Sequence, residues 1–364
     1  MKAYVVERDR LRNNIDVVKR KADGRAVYAV LKGNGYGLGM LQFAHELRDC
    51  GIERFAVTEP TDAIKLRLAG FIDEEILVMR STADERDIAD ILEAKAVATI
   101  GSYEAAVVLN GMAEKRGEVV EAHIKIDTGM GRYGFRESET DKILSIFRFM
   151  PKIAVSGIYS HSNMAFSGGH TADDQLKALL AAAEAIHAAG FDPGIIHFAN
   201  SAFLFGHDIS GTDAVRIGSA FLGRVAGRGA SGLQPVGHGM ATVTEVRWLE
   251  AGSTVGYGAA FRAKVPTRIA VVPFGYSDGF LVAREHDIFR FRDKLRYLFG
   301  DLKLLLKRKR VYVTVRGKRA PVLGHIGMVH TIVNVTKVPC EVGDEVSFEL
   351  NPIYANPLLE RIYE

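Results

Sequence analysis

Between residue 10 and about residue 220 of the 364-residue chain, short apolar runs alternate with stretches whose apolar residues recur every three and four positions. The runs, at 26–31, 54–57, 76–79, 97–100, 121–127, 155–160, 195–199 and 214–217, read as strands buried on both faces. The periodic stretches at 40–49, 61–69, 84–94, 103–115, 139–150 and 174–189 read as amphipathic helices. A doubly wound sheet would show the same alternation, but eight units in one run favour a closed (β/α)8 TIM-type barrel. After about residue 235 the texture changes to strands at 243–248, 268–273, 311–315, 328–335 and 345–350, joined by turns, with little helical periodicity until the end. The expected architecture is α/β: an N-terminal barrel over 8–235, then a C-terminal mostly-β domain over 236–364, which residues 1–7 could join.

Composition changes this picture little. Hydrophobic residues make up 48% and charged ones 25%, which is ordinary for a globular protein. A net charge of +3 gives no ground to expect nucleic acid as a partner. No stretch has the apolar core of a signal peptide or the length of a membrane span, so the expectation is a cytoplasmic protein without a membrane partner. Cys50 and Cys340 form neither a metal-ligand spacing nor a disulfide framework, and no metal is expected. Charge does single out one segment. From Arg284 to Arg310 there are ten Arg/Lys against four Asp/Glu, ending in Lys307-Arg308-Lys309-Arg310. This insertion, at about 283–310, reads as a solvated amphipathic segment, the alternative being a site for an anionic partner.

The chemistry gathers at strand ends. The first apolar run, Ala26-Val27-Tyr28-Ala29-Val30-Leu31, meets Lys32 and then the glycine-dense Gly33-Asn34-Gly35-Tyr36-Gly37. A lysine there is ordinarily solvated. Beside glycines that let backbone amides approach a phosphate, its amine can instead be the nucleophile that forms a Schiff base with pyridoxal phosphate. The fifth run leads into Lys125-Ile126-Asp127-Thr128-Gly129-Met130-Gly131-Arg132. Arg132 could fork onto a substrate carboxylate, or be a surface arginine on a helix-capping loop. His161 follows the sixth run, Asn200 and Ser201 the seventh, and Arg216, Gly218 and Ser219 fall on and after the eighth. Further on stand Tyr257 between two glycines, which could equally be a strand-end turn, and then Tyr276, Met328 and Tyr354.

These motifs, in this order over about residues 8 to 350, resemble those of alanine racemases, the fold-type III pyridoxal-phosphate enzymes. The resemblance implies that Lys32 carries the cofactor and that Tyr36, Ser201 beside Asn200, Gly218, Ser219 and, as a weak candidate, Tyr354 hold its phosphate. Arg216 would face the pyridine nitrogen. Arg132 would orient the substrate carboxylate, helped by Met328, with Lys125 a candidate for carbamylation and His161 in a hydrogen-bonded chain to the catalytic tyrosine. Tyr276 would shape the substrate entrance. The implied reaction is interconversion of L- and D-alanine, with Lys32 serving one face of Cα and Tyr257 the other, supplied by the partner in a homodimer with shared active sites. Racemisation of serine or another amino acid keeps the chemistry and changes the substrate. A pyridoxal-phosphate barrel protein without racemase activity would lack the second domain, and a decarboxylase fits Arg216 poorly. Two departures stand out: Val282 and Val329 occupy positions where the family usually has an Arg and an Asp.

Overall fold

The computed structural model describes residues 1–165, 171–225, 231–285, 291–306 and 310–364. Of the expected insertion, 286–290 and 307–309 lie outside the described residues. The chain divides into two compact units, one made of Arg8–Val236 and the other of Met1–Glu7 with Gly237–Glu364.

The first unit is a parallel barrel. Its strands, in chain order, are Ala26–Val30, Arg54–Val57, Glu75–Val78, Ala98–Ile100, Val120–Lys125, Ile153–Tyr159, Ile195–His197 and Ala214–Ile217. In space they run third, second, first, eighth, seventh, sixth, fifth, fourth. The third and fourth close the ring through a bridge between Leu77 and Val97, with the Val97 N–H on Ile76 O at 2.8 Å and the Val78 N–H on Val97 O at 2.9 Å. Every strand therefore has two neighbours, which removes the unpaired edges of an open doubly wound sheet. Aliphatic side chains such as Ile76, Leu77 and Ile124 are wholly buried, as strands covered on both faces require.

The outer helices depart from a regular repeat. Between the seventh and eighth strands only Ser201–Gly206 is helical. The helix Arg8–Ala22, which precedes the first strand, packs against the first and eighth strands. Its buried Asn14 donates to Phe221 O at 3.0 Å and Gln234 O at 2.6 Å, and accepts from the Gln234 N–H at 2.8 Å. These bonds fasten the segment after the last strand. An asparagine among Leu11, Ile15 and Val18 looks like an interruption of the apolar stripe, and its partners lie some two hundred residues away. Gly111 lies inside the helix Tyr103–Arg116 with open space where a Cβ would go. Gly111→Ala is expected to stabilise the protein by about 0.5–1 kcal/mol, read as a raised midpoint in urea unfolding.

In the second unit, Lys2–Val6 lies inside a six-stranded sheet, antiparallel to His238–Thr242 and parallel to Glu360–Tyr363. A three-stranded antiparallel sheet holds Glu245–Leu249, Thr267–Val272 and Thr331–Asn334. A short hairpin of Thr254–Val255 and Phe261–Arg262 carries the turn Tyr257–Ala259. Two expectations change here. The strand expected from 328 begins at Thr331, because Met328 O is taken by the N–H and hydroxyl of Ser277 instead of a ladder. The chain closes on the strand Glu360–Tyr363, not a helix: in a sheet, the alternation of side chains decides which faces are covered.

Candidate active site

Lys32 follows directly on the first strand and opens an unusual turn. Gly33, Asn34, Gly35 and Tyr36 all have positive φ, at 62°, 53°, 64° and 54°, a single turn of left-handed helix. Side chains with a Cβ resist this region by roughly 1–2 kcal/mol per residue. Glycine at 33 and 35 removes that cost at two of the four positions. The Asn34 side chain pins the turn by accepting the Met40 N–H at 2.9 Å. Lys32 Nζ stands 5.8 Å from the Tyr36 ring centroid. Lys32 keeps part of its surface exposed, and desolvation, then the charge of Arg132, hold its amine below the ordinary lysine range.

The end of the fifth strand supplies Lys125, which is buried, and its amine lies 4.6 Å from the Tyr159 ring centroid. Burial, then the positive charges of Arg216 and Arg132, bring its pKa down to about 7, against a smaller opposing pull from Asp127. The loop that follows is wound around Asp127, whose carboxylate accepts the amides of Gly129, Met130 and Gly131 at 2.8–3.1 Å. Those bonds hold the Asp127 carboxyl below its usual range despite the cost of burial. The loop is further tied down by Gln175, which donates to Thr128 O at 2.9 Å, and by Asn163, which donates to Gly129 O at 2.6 Å. At its end Arg132 is exposed, its guanidinium 5.9 Å from the Tyr133 ring centroid.

The interior of the barrel is organised by Arg216, a buried cation on the eighth strand. Its guanidinium donates to Ser160 O at 2.5 Å, His197 O at 3.0 Å and Phe198 O at 3.3 Å, and to Nδ1 of His197 at 2.9 Å and of His161 at 3.5 Å. Burial lowers Arg216 to a pKa of about 10, so it stays charged at neutral pH. Arginine can only donate, so His197 Nδ1 must be unprotonated. His197 then carries its proton on Nε2 and donates it to His123 Nδ1 at 3.0 Å. Burial, with Arg216 as the next cause, keeps all three histidines neutral: His123 falls to a pKa of about 3, His161 to about 2, and His197 well below the ordinary value. Tyr159 stacks on His197 with centroids 4.7 Å apart and donates to Met79 O at 3.2 Å, leaving the Thr99 hydroxyl to donate to it at 2.9 Å.

On the cofactor-binding candidates the site is more specific than the motifs were. Ser201 Oγ accepts the amides of Gly218 and Ala220, each at 3.2 Å, so the Gly218 N–H is turned to the serine. A Cβ on Gly218 would lie 2.2 Å from the Tyr36 hydroxyl, so the phenol occupies the space that only glycine leaves. Asn200 serves as the helix cap, accepting the Phe203 N–H at 3.0 Å. Lys32, Tyr36, Lys125, Arg132, His161, Ser201, Arg216 and Gly218 are thus all set on strands or on the turns and helix starts that follow them, at one end of the barrel. Sequence reasoning passed over Tyr159, His123, Asn163 and Gln175. Gln175 alone had a local signal, as a polar residue on the buried side of the helix Thr171–Ala188. A cleft of about 660 Å³ opens at the other ends of the third to fifth strands, lined among others by Glu74, Glu75, Lys95 and Glu118, away from these groups.

In the second unit, Tyr257 is 81% exposed on its turn, and Tyr276 and Met328 are also exposed. Tyr276 and Met328 are brought close, because the Tyr276 N–H donates to Gly327 O at 3.2 Å and Ser277 binds Met328 O. Asp278 is buried and pairs with Lys2 at 2.6 Å. Val282 and Val329 are both about two-fifths exposed. Tyr354 lies in the turn Pro352–Tyr354.

The donor set suits an anionic ring cofactor with an aldehyde and a phosphate: a depressed lysine amine, a phenol and a serine hydroxyl beside a glycine cleft, and a fixed guanidinium. The cations Lys32, Lys125, Arg132 and Arg216 act on one another here, and Asp127 is spent on its own loop.

Residues 6–225 match the family model described as alanine racemase, N-terminal domain, and 238–352 that of the alanine racemase C-terminal domain. The alanine racemase of Geobacter sulfurreducens is 31% identical over 348 residues, covering 93% of this chain and 84% of that protein. That of Methylacidiphilum infernorum is 31% identical over 346 residues, covering 92% and 80%. Among solved structures, alanine racemase from Clostridium difficile 630 superposes with a TM-score of 0.85 at 23% identity, covering 100% of this chain and 95% of that one. The alanine racemase of Bartonella henselae, solved with covalently bound pyridoxal phosphate, superposes with a TM-score of 0.78 at 22% identity, covering 100% and 99%. The structural likeness carries the fold, and the two family models between them take in both units: the chain belongs to the alanine racemase family, whose members are isomerases.

Proposed function

We propose that this chain is a pyridoxal-phosphate-dependent racemase that interconverts L- and D-alanine, working as a homodimer. The observation that carries the reading is that Lys32, at the end of the first strand, and the buried, carbonyl-held Arg216, on the neighbouring eighth strand, both act on His161. Lys32 would hold the cofactor through its amine, Tyr36 and Ser201 its phosphate, and Arg216 would meet its ring nitrogen. When bound, the cofactor supplies a conjugated ring into which the electron pair left at Cα can spread. Arg216 keeps its own proton at neutral pH, so beside the ring nitrogen it would donate a hydrogen bond without protonating it and would limit how strongly that pair is withdrawn. Arg132 would clamp the substrate carboxylate, with Met328 beside it and Tyr276 at the entrance. Lys32 takes or returns the Cα proton on one face, and Tyr257 of the partner subunit does so on the other, with His161 linking the tyrosine side to Arg216.

Chiral chromatography of a panel of L-amino acids after incubation with the holoenzyme tests the reaction. D-alanine should form. With L-alanine in heavy water, the first D-alanine should carry deuterium at Cα while the remaining L-alanine stays largely unlabelled. Retention of the original proton in the product would overturn the two-base reading. The exposed Val282 and Val329 support a second reading, in which an apolar entrance shifts the preferred substrate from alanine to another amino acid.

Lys125 is the candidate for carbamylation, in which its amine bonds to the carbon of CO2 and releases a proton. Only the neutral amine reacts, and at a pKa of about 7 a large share is neutral at physiological pH, whereas an ordinary lysine would be almost wholly charged. The new negative charge, or a bound anion in its stead, would hold Arg132. Stripping CO2 should therefore lower activity, with restoration by bicarbonate strengthening as pH rises through about 7 and fading below it. A CO2-independent rate in chloride-free buffer, measured at pH 8, would overturn this.

A further inference from the structure

The helix Phe291–Leu306 belongs to the segment whose charge set it apart in the sequence. Phe291, Leu295, Leu298, Phe299 and Leu302 are 39–74% exposed. At about 100° per residue these five share one arc of roughly 100° on the helix surface. Single exposed apolar residues need no explanation, but five large ones on one face mark a binding surface. The cations gather on one side of such a surface: Arg292, Arg296 and Lys303 follow the arc along one edge, while Lys294 stands beside Asp301 on the other. An apolar stripe with a cationic edge is the arrangement of a helix that lies in a lipid interface, its apolar side chains among acyl chains and its ammonium and guanidinium groups at the headgroup level.

We propose that this helix docks the enzyme reversibly on an anionic bilayer surface. Charge complementarity selects that occupant. Four cations, Arg292, Lys294, Arg296 and Lys303, against Asp293 and Asp301 leave the helix with a net charge of +2, which acidic headgroups neutralise and a second copy would double. No described helix is long and apolar enough to cross a membrane, and lying flat at the interface requires neither property. The proposal is independent of the racemase reading, since none of these residues belongs to the site described above.

The test is flotation of the full-length holoenzyme with vesicles of phosphatidylglycerol mixed with phosphatidylcholine, and with vesicles of phosphatidylcholine alone, at low and high salt. The protein should float with the anionic vesicles only, less at high salt, and Leu298→Glu with Phe299→Glu should cut binding about tenfold or more. Because both residues are exposed, circular dichroism and the thermal midpoint should be unchanged. The chain has a single tryptophan, so Phe299→Trp in a Trp248→Phe background reports on the helix alone. Its emission should shift to the blue on adding anionic vesicles. Absence of flotation with either vesicle, equal flotation with both, or equal flotation of the double variant would each overturn the proposal. So would self-association of the parent that the double variant loses, without vesicle binding, which would assign the face to a second copy.

Discussion

Mixing a Lys32→Ala chain with a Tyr257→Phe chain, after dissociation and reassociation, is expected to restore racemisation that neither parent shows. Each parent lacks one of the two proposed proton carriers at every site, and loss of a positioned acid or base lowers the rate by about 10²–10⁴. Lys32→Ala also removes the amine that would hold the cofactor. If Tyr257 acts across a dimer, each mixed dimer has one site with both groups and one with neither. Random association of equal amounts should then return about a quarter of the wild-type activity per chain. The placement of Tyr257 motivates the trans reading: it is 81% exposed at the tip of a short hairpin, as a group that completes its surroundings elsewhere would be. A mixture that stays inactive while mixed dimers are seen by native mass spectrometry would rule the shared site out.

Gly134→Ala is expected to lower kcat/KM for alanine by about 10²-fold while leaving uptake of pyridoxal phosphate close to normal. Gly134 has φ 124°, where only glycine is at ease, and an added Cβ would fall 2.6 Å from Asp127 N, 2.7 Å from Ile126 C and 3.0 Å from Lys125 O. All three are backbone atoms, so no rotamer change relieves the contact. The substitution must open the bridge in which the Asp127 N–H binds Phe135 O and the Phe135 N–H binds Lys125 O, each at 2.9 Å. That bridge closes the loop carrying Arg132, so the proposed carboxylate clamp moves while the cofactor-binding candidates on the first, seventh and eighth strands stay in place. Wild-type kinetics, or equal loss of cofactor uptake and turnover, would contradict this account. The strained backbone should also cost about 1–3 kcal/mol in unfolding experiments.

Much of this molecule could be read from local pattern, for a definite reason. Each barrel strand buries both faces, so it announces itself as an apolar run, and each motif residue lies within a few positions of such a run's end. Lys32, Arg132, His161, Ser201 and Arg216 could therefore be placed at one end of a barrel without knowing any pairing. A run apolar on both faces, however, says nothing about which side chains point inward. For that reason Tyr28, His123, Tyr159 and His197 passed as ordinary strand residues, although His197 and His123 form the ladder beneath Arg216. The left-handed turn after Lys32 was likewise seen only as a glycine-rich loop, because glycine reports freedom and not which conformation is taken.

What the tertiary structure alone decided are the contacts made across great sequence distances. Closure of the ring rests on Leu77 and Val97, and the helix Arg8–Ala22 takes up a place beside the eighth strand through Asn14. Lys2–Val6 joins the six-stranded sheet by pairing Lys2 with Ala241 and Val6 with Tyr363. Such pairings gain their energy only when all intervening elements have found their places, so no window of neighbouring residues contains them. The chain's own pattern settled the alternation of strand and helix and the strand ends that bear the chemistry, because both follow from which side chains avoid water. Which of the buried polar groups hold one another, and with which proton, was decided by the fold, because a hydrogen bond depends on partners that only the closed barrel brings within 3 Å.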